Sequence, residues 1–257
     1  MITLGIDLGS NTVKTVLLRD GSQVIARSLR KGGHDMETVM NECLEEVYSA
    51  ASGEKPDKIV ATGYGRVSCK IADKEISEIS CHGRGAYFSM QGARTVIDIG
   101  GQDSKAISLS DNGKVIDFVM NDKCAAGTGR FLEVMAQALQ VQLVDFGDVS
   151  LKADRSVDIS NTCTVFAESE VISLMARRES KENIIAGLHK AIAARVIAMA
   201  KRLRIEDEVA FTGGVALNSG VKRALESASG KSIKTPDHPQ HIGALGAALF
   251  AFDMAKE

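Results

Sequence analysis

Two aspartates, each two residues ahead of a glycine at the end of an apolar run, carry the first chemistry in this sequence. They are Asp7 in Ile6-Asp7-Leu8-Gly9 and Asp98 in Ile97-Asp98-Ile99-Gly100. A shift of 91 positions lays Asp7 on Asp98, and the same shift lays Gly9 on Gly100, Lys14 on Lys105, Leu18 on Leu109 and Asp20 on Asp111. A glycine turn between strands lets backbone N–H groups approach phosphate oxygens with no Cβ in the way. An aspartate just before such a turn can hold a divalent metal, usually through water. Either turn alone reads as an ordinary hairpin, because Asp and Gly favour turns anyway. Two in register, each followed by a lysine, favour paired phosphate loops.

Cysteine supplies the second set of candidates. Cys43 falls on the apolar face formed by Val39, Met40, Leu44 and Val47, which is the pattern of a core residue. Cys81 and His82 are neighbours, and adjacent helix positions point in different directions, so a structural role is expected rather than a metal pair. Cys124 and Cys163 differ. Each stands among small polar residues just ahead of an apolar helical pattern, in Asn121-Asp122-Lys123-Cys124-Ala125-Ala126-Gly127-Thr128-Gly129-Arg130 and in Ser160-Asn161-Thr162-Cys163-Thr164-Val165-Phe166-Ala167-Glu168-Ser169-Glu170. Gly127-Thr128-Gly129 is expected at a helix N-terminus, where free N–H groups and the dipole attract anions.

The elements that must position these residues follow from periodicity. Each copy of the repeat reads as an apolar strand, a glycine turn, a second strand around the lysine, a polar turn and a third strand. A period this long means two similar domains rather than a solenoid. Asp35 is a plausible N-cap for the helix through Cys43. Lys58 to Ala61 reads as a strand, and Thr62-Gly63-Tyr64-Gly65-Arg66 after it is ranked a connection slightly ahead of a ligand loop. Glu75 to Met90 ends in a helix. The steps Ile185, Leu188, Ile192, Val196, Met199 and Leu203 predict a long amphipathic helix with its Arg and Lys on a solvated face. Glu208 to Phe211 reads as a buried strand, Thr212-Gly213-Gly214-Val215-Ala216 as a strand-to-helix turn, and Gly243 to Ala248 as a helix of small residues suited to close crossing.

With 257 residues and 44% hydrophobic content, the chain can bury one large core or two smaller ones. Its net charge of −2 gives no electrostatic reason to expect nucleic acid or an anionic membrane. Met1 leads straight into the first strand and no apolar run is expected to span a bilayer, so a cytoplasmic location is the expectation. Five cysteines, an odd number, argue against a disulfide framework.

Taken in order, the two Asp-x-Gly loops, the helix after Glu75, the Gly213-Gly214 turn and the small-residue helix resemble the actin, Hsp70 and sugar-kinase superfamily of ATPases across nearly the whole chain. The segments around Cys124 and Cys163 look very like those of the activator components of 2-hydroxyacyl-CoA dehydratases. The resemblance implies an α/β chain of two duplicated actin-like ATPase (ribonuclease H-like) domains facing a nucleotide cleft. Residues 1–80, with the helix 240–257 packing back on them, would form the first, and residues 81–239 the second. It implies that ATP or ADP and Mg²⁺ are held by Asp7, Gly9, Ser10, Asn11, Thr12 and Lys14 in one loop and by Asp98, Gly100, Gly101, Gln102 and Asp103 in the other. Gly127, Thr128 and Gly129 would add to the nucleotide site, Gly213, Gly214 and Val215 would meet the adenosine, and Glu78 would position the attacking water. It further implies a homodimer sharing one [4Fe–4S] cluster on Cys124 and Cys163 of each copy, since such a cluster takes four thiolates and a two-fold axis doubles a pair. An upstream donor such as ferredoxin or flavodoxin, and a dehydratase that receives one low-potential electron on ATP hydrolysis, complete that picture. A subunit of a benzoyl-CoA-type reductase and a small-molecule kinase of the same fold are the alternatives. The kinase gives no reason for Cys124 and Cys163 to stand in small-residue loops.

Overall fold

A computed structural model describes the chain except for His34, Asp122, Asn161 and Thr162. In chain order the first half holds β1 (Ile2–Leu8), β2 (Thr12–Arg19), β3 (Gln23–Lys31), α1 (Met36–Ala50), β4 (Lys58–Thr62), β5 (Lys74–Glu75) and α2 (Glu78–Ser89). Then follow β6 (Thr95–Ile99), β7 (Ser104–Leu109), β8 (Val115–Asn121), α3 (Gly129–Leu139), α4 (Phe146–Ser150), α5 (Thr164–Ala176) and α6 (Lys181–Ala200). The chain ends with β9 (Val209–Thr212), α7 (Ser219–Ser229), β10 (Ile233–Lys234) and α8 (Ile242–Met254).

Two compact units result: Met1–Ala93 with Leu109–Ile116 and Pro236–Glu257, and Arg94–Ser108 with Asp117–Thr235. The strand orders are β3-β2-β1-β4-β5 and β10-β9-β6-β7-β8, so β1 and β6 hold matching central places. Each pairs antiparallel with the next strand in the chain and parallel with a later one, β4 or β9. This is the duplicated α/β architecture that the 91-residue repeat predicts.

In unit 1 every residue of β1 is buried, because the strand is covered on both faces. On one face Leu4, Ile6, Cys43, Leu44 and Val47 share a core with α1, whose N-cap Asp35 accepts from Thr38 N–H at 3.0 Å, as expected. Burying each such Leu or Ile contributes roughly 1.5–3 kcal/mol. On the other face, α8 packs its small residues onto β2, with Ala244, Leu245, Ala248 and Leu249 against Val16 and Leu18. The same helix crosses α2 so closely that a Cβ on Gly246 would lie 1.8 Å from Cys81 O. The small-residue run is therefore a crossing surface.

Unit 2 buries β6 completely beneath α3, α5, α6 and α7. Here the structure departs from the one-sided helix that the spacing predicts. α6 buries Asn183, Ile184, Ile185, Gly187, Leu188, His189, Ile192, Ala193, Val196 and Ile197, leaving a narrow exposed stripe at Lys190, Ala194 and Ala198. It is long and apolar enough by length and composition to cross a bilayer, a span the sequence pattern does not anticipate. Its place in the unit 2 core accounts for that apolarity.

Candidate functional site

The first loop is built by the β1–β2 hairpin. Asp7 stands opposite Lys14 in the antiparallel register, with Lys14 Nζ 3.2 Å from Asp7 Oδ2. Gly9 N–H donates to Thr12 O at 3.0 Å and closes the turn, leaving Ser10 exposed and Asn11 and Thr12 half-buried. A buried carboxylate is costly unless compensated, and Asp7 retains only 4% of its side-chain exposure. Lys14 compensates one oxygen. Oδ1 is buried and has no hydrogen-bond partner among the described residues, so its desolvation is uncompensated within the chain.

The second loop repeats the arrangement in unit 2. Asp98 stands opposite Lys105, and Gly100 N–H donates to Asp103 O at 2.9 Å. Lys105 is fully buried, 3.5 Å from Asp98 Oδ2 and 2.7 Å from Asp103 Oδ2. Asp98 Oδ1 accepts from Thr212 Oγ1 at 2.8 Å. Gly101 and Asp103 are half-buried and Gln102 is exposed at the rim of the turn.

A feature missed in the sequence links the two. Thr62 and Thr212 are the parallel-ladder partners of Asp7 and Asp98, and the glycine after each has φ +87°. A Cβ on Gly63 would come 2.4 Å from Asp7 Oδ1, and one on Gly213 would come 2.3 Å from Ile99 O. Only glycine lets these turns close over the aspartate loops. After Gly213, Gly214 is exposed while Val215 and Ala216 are buried in a short 3₁₀ turn. The signal was the shared Thr-Gly pair, and Thr62, Gly63 and Thr212 join the candidates through it.

Thr128 is the N-cap of α3, as the apolar spacing predicts, with Gly127 in the positive-φ region before it. Two of the expected free amides are engaged: Gly129 N–H donates to Gly100 O and Arg130 N–H to Gly101 O, both at 2.8 Å. The start of α3 is thus tied to the second loop by backbone hydrogen bonds. Glu78 is the first residue of α2, half-buried, with Oε1 3.7 Å from His82 Nε2.

The cysteines divide by burial. Cys43, Cys69 and Cys81 are buried, and burial pushes all three thiols up, Cys81 to about 12. Cys124 is half-buried and Cys163 is exposed. Asn121 Nδ2 donates to Cys124 O at 3.0 Å and to Ala126 O at 3.2 Å, holding the Cys124 loop. Cys163 is the N-cap of α5, and its carbonyl accepts from Ala167 N–H. Asp122, Asn161 and Thr162 of the two cysteine segments lie outside the described residues. No group of three or more His, Cys, Asp or Glu suited to a metal occurs among the described residues.

Comparison with known proteins bears on this geometry. The profile of the BadF/BadG/BcrA/BcrD ATPase family matches residues 4–251. The (R)-2-hydroxyglutaryl-CoA dehydratase activating ATPase of Acidaminococcus fermentans is 50% identical over 256 residues, covering 98% of each chain. Among solved structures, the A. fermentans (R)-2-hydroxyglutaryl-CoA dehydratase component A is 48% identical with a TM-score of 0.97, over all of both chains. The activator of the 2-hydroxyisocaproyl-CoA dehydratase from Clostridium difficile with bound ADPNP is 47% identical with a TM-score of 0.95, over 100% of this chain and 96% of that one. The duplicated hairpins, the paired aspartates and these likenesses agree, and the chain belongs to the BadF/BadG/BcrA/BcrD ATPase family.

Proposed function

We propose that the chain is an ATP-driven one-electron reductase that activates a partner 2-hydroxyacyl-CoA dehydratase, using a [4Fe–4S] cluster shared between two copies. The observation that carries this reading is the sorting of the cysteines: three are core, while Cys124 and Cys163 stand at helix-leading loops of the unit that also holds Asp98. Two accessible thiols per chain are half a ligand set, which suits a cluster on a two-fold axis. Val165 and Phe166, 68% and 61% exposed just after Cys163, offer the apolar surface that a second copy would cover. When bound, the cluster supplies one low-potential electron. Cys124 and Cys163 would hold it, and the N-terminal dipoles of α3 and α5 would favour its negative charge.

The nucleotide chemistry belongs to the two hairpins. Asp7 in unit 1 and its counterpart Asp98 in unit 2 would each be candidates to bind Mg²⁺, and the unpartnered Asp7 Oδ1 fits that task. Lys14 pairs with Asp7 and faces the phosphates. Gly9–Thr12 and Gly100–Asp103 cradle phosphate oxygens with backbone N–H groups, Gly127–Gly129 support the second loop, and Gly213–Val215 meet the adenosine. Glu78 orients the attacking water. The coupling has a sizeable demand: an uphill step of about 0.4 V for one electron corresponds to roughly 9 kcal/mol. Differential binding of ATP and ADP to two forms of the protein can supply it. A ferredoxin or flavodoxin in the cytoplasm would be the electron donor.

Iron analysis of anaerobically purified protein tests the reading. About four Fe per two chains are expected, lost with brown colour in Cys124→Ala and Cys163→Ala. Four Fe per single chain, or a cluster that survives Cys163→Ala, would overturn it. Iron-free protein that transfers phosphate to a small hydroxyl compound would favour the kinase alternative instead.

A further inference from the structure

Thr62-Gly63-Tyr64-Gly65-Arg66 ranks in the sequence as a connection, yet it closes over Asp7. We propose that Arg66 contacts the terminal phosphoryl group of ATP and carries part of the negative charge that develops there during hydrolysis. The proposal rests on the nucleotide role of Asp7 given above.

Three observations support it. Arg66 is half-buried and its guanidinium makes one hydrogen bond, Nη1 to Gly63 O at 3.0 Å, with no carboxylate partner among the described residues. A guanidinium offers five N–H donors, so most of them are unspent, whereas Lys14 is already engaged by Asp7. The carbonyl that holds Arg66 belongs to Gly63, whose Cα packs on Asp7 Oδ1, the buried oxygen with no partner. An unspent cation and an unpartnered carboxylate oxygen on one tightly packed turn suit a phosphate with its metal.

Comparison with unit 2 sharpens the assignment. The turn after Thr212-Gly213 continues Gly214-Val215-Ala216, with Val215 and Ala216 buried, where unit 1 has Tyr64-Gly65-Arg66. The two loops share the glycine that covers the aspartate and then diverge, apolar in unit 2 as an adenosine requires and cationic in unit 1. In the reaction the water oxygen bonds to the γ-phosphorus while the bond from that phosphorus to the bridging oxygen breaks. ADP leaves, inorganic phosphate forms and one proton passes to solvent.

The test compares Arg66→Gln and Arg66→Met in the anaerobic holoprotein, reading phosphate release, binding of ADP and of a non-hydrolysable ATP analogue, and thermal midpoint. Loss of one such preorganised donor lowers kcat by about 10²- to 10³-fold, with ADP affinity and the midpoint near wild type and analogue binding weakened. Added guanidinium ion should restore part of the rate. Hydrolysis within about threefold of wild type, a range that a lost charge-stabilising contact exceeds, would overturn the proposal if Asp7→Asn and Asp98→Asn are inactive. Equal loss of ADP and analogue binding would make Arg66 structural and overturn it too. If both aspartate variants hydrolyse ATP normally, the nucleotide reading itself fails, whatever Arg66 does.

Discussion

Thr212 donates its hydroxyl to Asp98 Oδ1 at 2.8 Å, whereas the corresponding oxygen of Asp7 has no hydrogen-bond partner among the described residues. The repeat is therefore symmetric in backbone and asymmetric in chemistry. Asp98 is held by Thr212 and Lys105 and Asp7 keeps a buried, unpartnered oxygen, so the two carboxylates should respond differently to substitution. Thr212→Val leaves a buried acceptor unpaired, at a cost of about 1–3 kcal/mol, and should lower both the melting temperature and hydrolysis. Asp7→Asn should cost less stability and remove most ATPase activity while iron stays bound. Denaturant titration, phosphate release and iron content measure both, and a Thr212→Val protein as stable as wild type would count against this account.

Backbone conformation gives a sharper contrast. Gly63 and Gly213 combine positive φ with a blocked Cβ position, whereas Gly230, the αL residue at the end of α7, has φ +68° and nothing within 4 Å of a Cβ. Gly230→Ala should cost only about 1 kcal/mol, from the left-handed conformation. Gly63→Ala and Gly213→Ala must also displace Asp7 or the carbonyl of Ile99, so each should cost more and reduce nucleotide binding. Thermal melts with and without ADP separate the two classes. Equal melting shifts for all three variants would show that the Asp loops tolerate the added methyl.

These residues also show why part of the site was readable and part was not. The Asp7–Lys14 and Asp98–Lys105 pairs lie within single hairpins, so a contiguous match at one offset finds them. Thr62 and Thr212 reach their aspartates through parallel pairing, and their offset is 150 rather than 91. It grows because unit 2 inserts α3 to α6 before β9, where unit 1 has only α1. Cys43 was readable because its neighbours share one helix face. The burial of α6 was not, since it depends on helices α4, α5 and α7 packing around it, which periodicity within α6 does not record.

His189 on α6 supplies a pH dependence. Its Nε2 faces Asn218 Nδ2 at 3.3 Å, and because Asn218 Oδ1 accepts from Val221 N–H, the amide donates to the ring. Nδ1–H then donates to Ser150 Oγ at 3.0 Å, whose hydroxyl donates to Gly147 O. The neutral ring is satisfied and a second proton would meet an N–H donor. Burial pushes its pKa down to about 3 from an ordinary 6.5. The unfolded chain therefore takes up this proton first as pH falls, so the stability contribution is present above pH 6.5 and is lost toward pH 3. His189→Gln should be less stable at neutral pH by about 1–3 kcal/mol, and its stability should fall less steeply over that window. Parallel pH profiles for variant and wild type would contradict the assignment.

Cysteine reactivity tests the two thiol classes without relying on turnover. The thiolate is the nucleophile, so burial that raises a thiol pKa suppresses alkylation twice, by lowering the thiolate population and by denying access. With its pKa near 12, Cys81 is thiolate in only about one molecule in 10⁴ at pH 8. Cys43 and Cys69 are shifted the same way and are also buried. Iodoacetamide added to iron-free native protein should therefore modify Cys163 and Cys124 and leave the other three until denaturant is added, as peptide mass spectrometry will show. In iron-loaded protein the same two should be protected, because a coordinated thiolate is not free to attack. Cys43→Ala should lose stability by about 0.5–3 kcal/mol while keeping the labelling pattern and the iron content of each folded dimer. Equal labelling of Cys124 and Cys163 with and without iron would remove them as ligands, even if every prediction for the aspartate loops held.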